Sequence, residues 1–101
     1  MWQQQASSTT MTWAVAQTYC TNAGAGFRLP TYKEMVSLVD FTMASPGPMI
    51  NQTAFPGTPA EGFWTSSPYA GSSGYAWDVF FNDAYSYFYD VGSSYRVRCV
   101  R

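Results

Sequence analysis

The sequence predicts an α+β domain: two helices, a long irregular connection, then an antiparallel β-meander. Three observations carry this. Trp13, Ala16 and Cys20 recur at helical spacing. Thr31 and Glu34 stand at the spacing of a capping box. After Gly62 the apolar period switches from helical to two. Helices first and strands last is the order of an α+β fold rather than of alternating βαβ units. At 101 residues the chain is one domain, residues 1–101, with no internal repeat.

Each element has its own signal. Residues 1–11 read as an edge strand or tail with Trp2 as the anchor. Thr12 is an N-cap residue for a first helix from Trp13 to about Asn22, which Gly24 and Gly26 end. Its stripe of Trp13, Ala16 and Cys20 faces inward. In the second helix Pro30 keeps the approach extended and the Thr31 hydroxyl accepts from the Glu34 N–H. The Glu34 carboxylate reaches back to the Thr31 N–H. The helix is expected to reach about Asp40, with Met35, Leu38 and Val39 inward. From Phe41 to Gly62 four prolines enforce a loop, which Ile50 and Phe55 pin to the core. The expected strands are Phe63–Ser67, Tyr75–Asn82, Tyr85–Val91 and Tyr95–Arg101. In the second, Tyr75, Trp77, Val79 and Phe81 share one face, and Ala76, Asp78 and Phe80 the other. In the last, Tyr95, Val97 and Cys99 oppose Arg96, Arg98 and Val100. Trp64 and Trp77 are expected in the core.

Composition narrows the function. Hydrophobic residues are 47% and charged residues 11%, which marks a globular chain. The net charge is −1, and three of the five cations, Arg96, Arg98 and Arg101, lie in one terminal segment. That leaves no basic patch for nucleic acid. No apolar run approaches the ~20 residues of a membrane span. Two cysteines and no histidine cannot build a common zinc site, and no metal or other cofactor is expected. Met1 is followed directly by Trp2 and three glutamines, without a leader pattern. The chain is expected to be part of a longer protein that is secreted or at a cell surface, or carried on a phage particle.

Twelve of the 19 aromatics fall between Phe63 and Tyr95, spaced by Ser, Gly, Asn and Asp. Tyr gives rigid amphipathic contact area at low entropic cost, and Ser, Gly and Asn give adaptable hydrogen bonds, as in antibody paratopes. A recognition surface follows. The competing reading, an aromatic-rich β core, has less use for so many Tyr beside Ser and Asp. The candidate ligand contacts are Tyr69, Ser72, Ser73, Tyr75, Asp78, Phe80, Asn82, Asp83, Tyr85, Ser86, Tyr87, Tyr89, Asp90, Ser93, Ser94 and Tyr95. Rings would stack on a sugar face or fill a protein pocket while Asp and Asn orient hydroxyls or amides. Cys20 and Cys99 are either bridged or two buried thiols, and a low-charge, extracellular-looking composition favours the bridge.

Six motifs then occur in order: Trp13-Ala14-x-Ala16-x-x-Tyr19-Cys20, Phe27-Arg28-Leu29-Pro30-Thr31-x-x-Glu34, Phe55-Pro56, Phe63-Trp64-Thr65-Ser66-Ser67, Ala76-Trp77-x-Val79-x-Phe81 and Arg96-Val97-Arg98-Cys99-Val100-Arg101. Together they resemble the Lcl C-terminal domain family, named for a bacterial collagen-like adhesin, over essentially the whole chain. The resemblance implies a C-type-lectin-like fold, shared with the formylglycine-generating enzyme group, and a Cys20–Cys99 disulfide. Phe27 stands where family members usually carry Trp. The stretch from Tyr69 to Arg101 also resembles the variable region of proteins diversified by retroelements, in which framework positions such as Trp77, Val79, Phe81, Val97 and Cys99 alternate with substituted ones.

The expected function is therefore a non-enzymatic receptor- or adhesin-type module for a protein or glycan ligand. Two alternatives are a sulfated-glycan-binding adhesin domain, using Arg96, Arg98 and Arg101, and an aromatic-faced homo-oligomerisation module. Calcium-dependent sugar binding of the animal-lectin kind needs a Glu-Pro-Asn or Gln-Pro-Asp loop and a Trp-Asn-Asp triplet, and Asn82-Asp83 is only a fragment of this. An enzyme by analogy with formylglycine-generating relatives would need reactive cysteines, which a bridge would consume. Likeness of fold alone does not carry function.

Overall fold

The computed structural model describes residues 1–71 and 73–101. Helix α1 spans Trp13–Asn22. Thr12 has the extended N-cap backbone, but its side chain makes no capping bond. Ala16 and Cys20 are fully buried, as the stripe required, and Trp13 packs half-buried beside them. Helix α2 spans only Tyr32–Val36. Its capping box is complete: the Glu34 N–H donates to Thr31 Oγ1 (3.3 Å) and the Thr31 N–H to Glu34 Oε1 (2.8 Å). The expected continuation to Asp40 does not form, because Val39 pairs with Ile50 in an antiparallel bridge. The Asp40 N–H then donates to the Met49 carbonyl (2.8 Å). A long-range pairing thus outcompetes a helix of weak local propensity.

Three strands, β1 (Gly62–Pro68), β2 (Tyr75–Phe80) and β3 (Ser86–Asp90), form an antiparallel sheet in the order β1-β2-β3. β2 and β3 are shorter at their ends than the alternation suggested. Between the pairs Trp64↔Asp78 and Pro68↔Ala76, three β1 residues oppose the single Trp77. This bulge anchors both helices. The Trp13 indole donates to the Thr65 carbonyl (2.8 Å) and the Tyr32 N–H to Ser67 Oγ (3.0 Å). Thr65 Oγ1, fully buried, donates to the Trp77 carbonyl (2.8 Å).

The fourth expected strand is a correction. Residues 95–101 do not extend the meander beside β3. They return to the far edge of β1, where Phe63 and Arg96 form a parallel bridge. Two bonds hold it: Trp64 N–H to Arg96 O and Arg96 N–H to Gly62 O, each 3.0 Å. Their other neighbour is the N-terminal segment, through the bridges Met11↔Tyr95 and Trp2↔Val100. Segment 1–11 is therefore held by backbone pairing along its length, not by Trp2 alone. The Met1 amino group donates to the Arg101 carbonyl, so the described ends lie together.

Two cores flank the sheet. On one face Ala16, Cys20, Leu29, Trp64, Ala76, Val97 and Cys99 pack under α1. On the other Met35, Ile50, Phe63, Val79 and Phe81 pack under α2, with Phe55 against them. Cys20 and Cys99 are bridged, 79 residues apart in sequence. The bridge ties α1 to the terminal segment.

Candidate functional site

Directly opposed residues of an antiparallel pair share a face. The register Trp77↔Phe88, Asp78↔Tyr87 and Ala76↔Tyr89 therefore divides the candidate residues between two faces of the β2–β3 hairpin. The sequence reading gathered them into one surface. The structure makes two clusters of them, and the turns at the hairpin's ends hold the rest.

The Trp77 face carries Trp77, Phe88, Tyr75 and Tyr69. Tyr69 and Phe88 stack at 3.9 Å, and Trp77 meets Phe88 edge-on at 5.6 Å. Tyr75 abuts Phe88 at 6.1 Å, and Tyr32 of α2 tilts onto Trp77 at 5.5 Å. Trp77 is half-buried in this cluster and belongs to neither core, contrary to expectation. Phe88 was not among the candidates, yet it is 44% exposed. Its alternation with Tyr87 and Tyr89 was the available signal: a strand with no covered face exposes both sets. Ser86 lies at the start of the same face, opposite Val79.

The Asp78 face carries Phe80, Tyr87, Tyr89 and Tyr95. Phe80 contacts Tyr87 at 5.2 Å, Tyr95 at 5.7 Å and Tyr89 at 5.8 Å, while Tyr89 and Tyr95 lie 5.0 Å apart. Gly62, opposite Phe80, makes room for this cluster. A Cβ there would stand 2.6 Å from the Phe80 ring. Tyr85 (64% exposed) and Tyr87 (39%) form the solvent side, joined edge-on at 6.3 Å. Asp78 was expected at the surface. It is fully buried, and among the described residues neither carboxylate oxygen has a hydrogen-bond partner. Burial pushes its carboxyl up to about 8. Burial, followed by the neighbouring Tyr89 and Asp78, pushes the Tyr95 hydroxyl up to about 12.

The remaining candidates occupy turns. Asp83 Oδ1 accepts from the Tyr85 N–H (2.9 Å), so Asn82-Asp83 forms the β2–β3 turn. Asp83 Oδ2 also lies 3.5 Å from the Tyr87 hydroxyl, which donates to it. At the opposite end Asp90 Oδ1 accepts from the Gly92 N–H (2.8 Å). Ser93 is half-buried there, and Ser94 and Ser73 are exposed. Ser72 lies outside the described residues.

The three terminal arginines each have their own partners. Arg96 donates to Glu61 Oε1 and to the Ser7 carbonyl, each at 3.0 Å. Arg98 is 1% exposed, lies 4.7 Å from the Phe55 ring centroid and donates to Thr58 Oγ1 (3.0 Å). Arg101 stacks on Phe27 at 4.6 Å. No group of three His, Cys, Asp or Glu able to hold a metal occurs among the described residues. Nor is any described helix long and apolar enough to cross a membrane. Two open cavities lie beside α1, one lined by Gln3, Tyr19, Asn22 and Ala23 and the other by Gln17, Thr21, Arg28, Leu29 and Ser66.

Among protein families, the model of the Lcl C-terminal domain matches residues 1–101. No curated protein matches the chain.

Proposed function

This chain belongs to the Lcl C-terminal domain family, and on that premise we propose that it is a non-enzymatic ligand-binding module. It presents a Tyr-rich surface on a C-type-lectin-like scaffold, in a secreted, cell-surface or phage-borne setting. The observation that carries the reading is the β2–β3 hairpin, where Tyr85, Tyr87 and Phe88 are 64%, 39% and 44% exposed. Phe41 in the loop before β1 is exposed too, but three large rings left in water on one hairpin are the mark of an interaction site. Tyr and Trp supply most of the energy at such sites.

Both cysteines are engaged in the bridge, which leaves no thiol for formylglycine-type chemistry. Arg96 is paired with Glu61 and Arg98 is buried, which weighs against a sulfated glycan, since polyanion binding needs clustered available cations. A protein or neutral glycan fits the exposed rings better. Diversification by a retroelement accounts for the alternation of buried framework and exposed Tyr, Ser and Asp across residues 69–101. One DNA observation tests that: a near-copy of these codons, differing at adenines, beside a reverse-transcriptase gene.

The binding reading is tested by screening the domain against a glycan array and a displayed protein library, with Tyr85→Ala and Tyr87→Ala as controls. A ligand whose binding drops tenfold or more in either variant is the expected result. Ligands that bind both variants undiminished would place recognition elsewhere.

A further inference from the structure

We propose that the Asp78 face of the hairpin is a recognition site for an alkylammonium group, with the Asp78 carboxylate as its counter-ion and the rings of Phe80, Tyr87, Tyr89 and Tyr95 around it. This deepens the binding reading above and rests on it.

A buried carboxylate ordinarily has a cation or several donors, because leaving it bare is among the costliest arrangements in a protein. Asp78 has neither. The nearest arginine in sequence to the ring cluster, Arg96, is committed to Glu61 and to the Ser7 carbonyl. The titratable groups on this face from the other elements are Tyr87 and Tyr89 of β3 and Tyr95 of the terminal segment, and phenols supply no positive charge to offset the acid. Ring faces add partial negative charge of their own, which attracts cations. Everything around the acid thus asks for one positive group. A neutral sugar could offer a hydroxyl to an oxygen and a C–H face to the rings, but no charge to offset the carboxylate. A compact ammonium head on an apolar stem gains from both, and its stem finds cover among the rings.

Access is from the solvent side. Tyr87 is 39% exposed and Tyr89 is half-buried, and side chains so placed change rotamer rapidly. Without ligand the acid is held neutral by burial, at a pKa of about 8. Binding of a cation therefore releases the Asp78 proton to solvent. Below that pH each unit of acidification weakens binding by up to tenfold.

The test is an NMR titration of the domain at pH 9 and pH 6, at constant ionic strength. Tetramethylammonium chloride is one probe and N-acetyl-lysine amide the other. Saturable shifts of the Phe80, Tyr89 and Tyr95 ring signals are expected. Affinity should be at least tenfold weaker at pH 6, and at least tenfold weaker in Asp78→Asn at pH 9. Asp78→Asn keeps the size of the side chain and removes the ionisable acid, so it should fold, which its unchanged Trp64 and Val97 signals would verify. Tyr87→Leu, which keeps the acid and removes an outer ring, should weaken binding about threefold. A response to the lysine derivative alone points to a lysine of a protein ligand, and a response to tetramethylammonium to a free quaternary amine. Absence of saturable shifts, or equal affinity in Asp78→Asn, overturns the inference. The binding reading survives that outcome if a screened ligand still depends on Tyr85 or Tyr87.

Discussion

The Cys20–Cys99 end of the domain and the β2–β3 hairpin are built by opposite rules. At the first, segments 1–11 and 95–101 exchange a ladder of backbone bonds, among them Gln3 N–H to Cys99 O (3.0 Å) and Ser7 N–H to Val97 O (2.8 Å). Side chains complete it: Gln3 Oε1 and Ser7 Oγ accept from the N–H groups of Cys99 and Val97, each at 3.0 Å. Val97 and Cys99 are fully buried. At the second, β3 has no buried residue at all. Its rings touch mainly one another, and the acid beneath them has no partner. One region holds the fold through paired backbone and buried side chains. The other exposes its side chains and constrains them mainly through each other, which is how a scaffold can carry many specificities.

The largest effect should come from cutting the first region. The Cys20→Ala/Cys99→Ala pair frees a loop of 79 residues, which should cost about 4 kcal/mol in the chain-entropy account. Urea unfolding measures it. A loss under about 1 kcal/mol would mean that the 1–11/95–101 ladder closes the domain unaided, and the contrast would then lie in hydrogen bonds, not in the bridge.

Next comes Asp78, the buried group of the hairpin. Its folded value of about 8 lies above its ordinary 3.8. Below about pH 4 both states hold the proton and the group has no effect. Between about 4 and 8 the unfolded chain sheds the proton while the folded one keeps it, so stability falls as pH rises, at up to about 1.4 kcal/mol per unit. Above about 8 the penalty is constant. Asp78→Asn should flatten this slope in pH-dependent unfolding; an unchanged slope would show that Asp78 is ionised and solvated in the folded state. Glu34, held down to about 2 chiefly by its Arg28 hydrogen bond, has the opposite sign. Its contribution fades as pH falls below about 4, outside the Asp78 window.

A smaller effect tests whether the framework's local signals matter once its long-range contacts are made. Thr31→Ala removes the Oγ1 acceptor of the capping box and should cost about 1 kcal/mol. α2 is only five residues long, so nearly all of its own stabilisation sits in that cap. If the loss is negligible, the helix is held by Met35 in the core alone.

The same division explains what could be read from the sequence. The bounds of α1 and the capping box depend on residues a few positions apart, and they stand as read. The alternation in 95–101 does not decide depth, since Arg98 and Val100 are buried along with Val97 and Cys99. The end of α2 and the partner of residues 95–101 depend on pairings across the chain, Val39 with Ile50 and Arg96 with Phe63, which no local period encodes. At the candidate site, alternation put Asp78 on the side of Ala76 and Phe80. Its depth came from the β2–β3 register and from the return of Tyr95 over that face, neither visible locally. Phe88 went unnoticed because alternation along β3 marks no buried set: none of its residues is buried, and both faces carry partly exposed rings.

The smallest stability effect belongs to the outermost rings, and it is the most informative about function. Tyr85 is 64% exposed, and among the described rings it meets Tyr87 alone, at 6.3 Å. Its backbone N–H, not its side chain, makes the turn contact with Asp83. Tyr85→Ala should therefore shift unfolding by no more than about 0.5 kcal/mol, while a ligand seated on the exposed rings should lose 2 kcal/mol or about thirtyfold in affinity, as at an interface hot spot. Side-by-side unfolding and binding measurements on this one variant separate the two roles. A ring that costs stability but not binding would move Tyr85 into the framework and erase the contrast at its clearest point. A ring that costs binding alone would mean the hairpin's side chains can be exchanged freely over a fold maintained elsewhere.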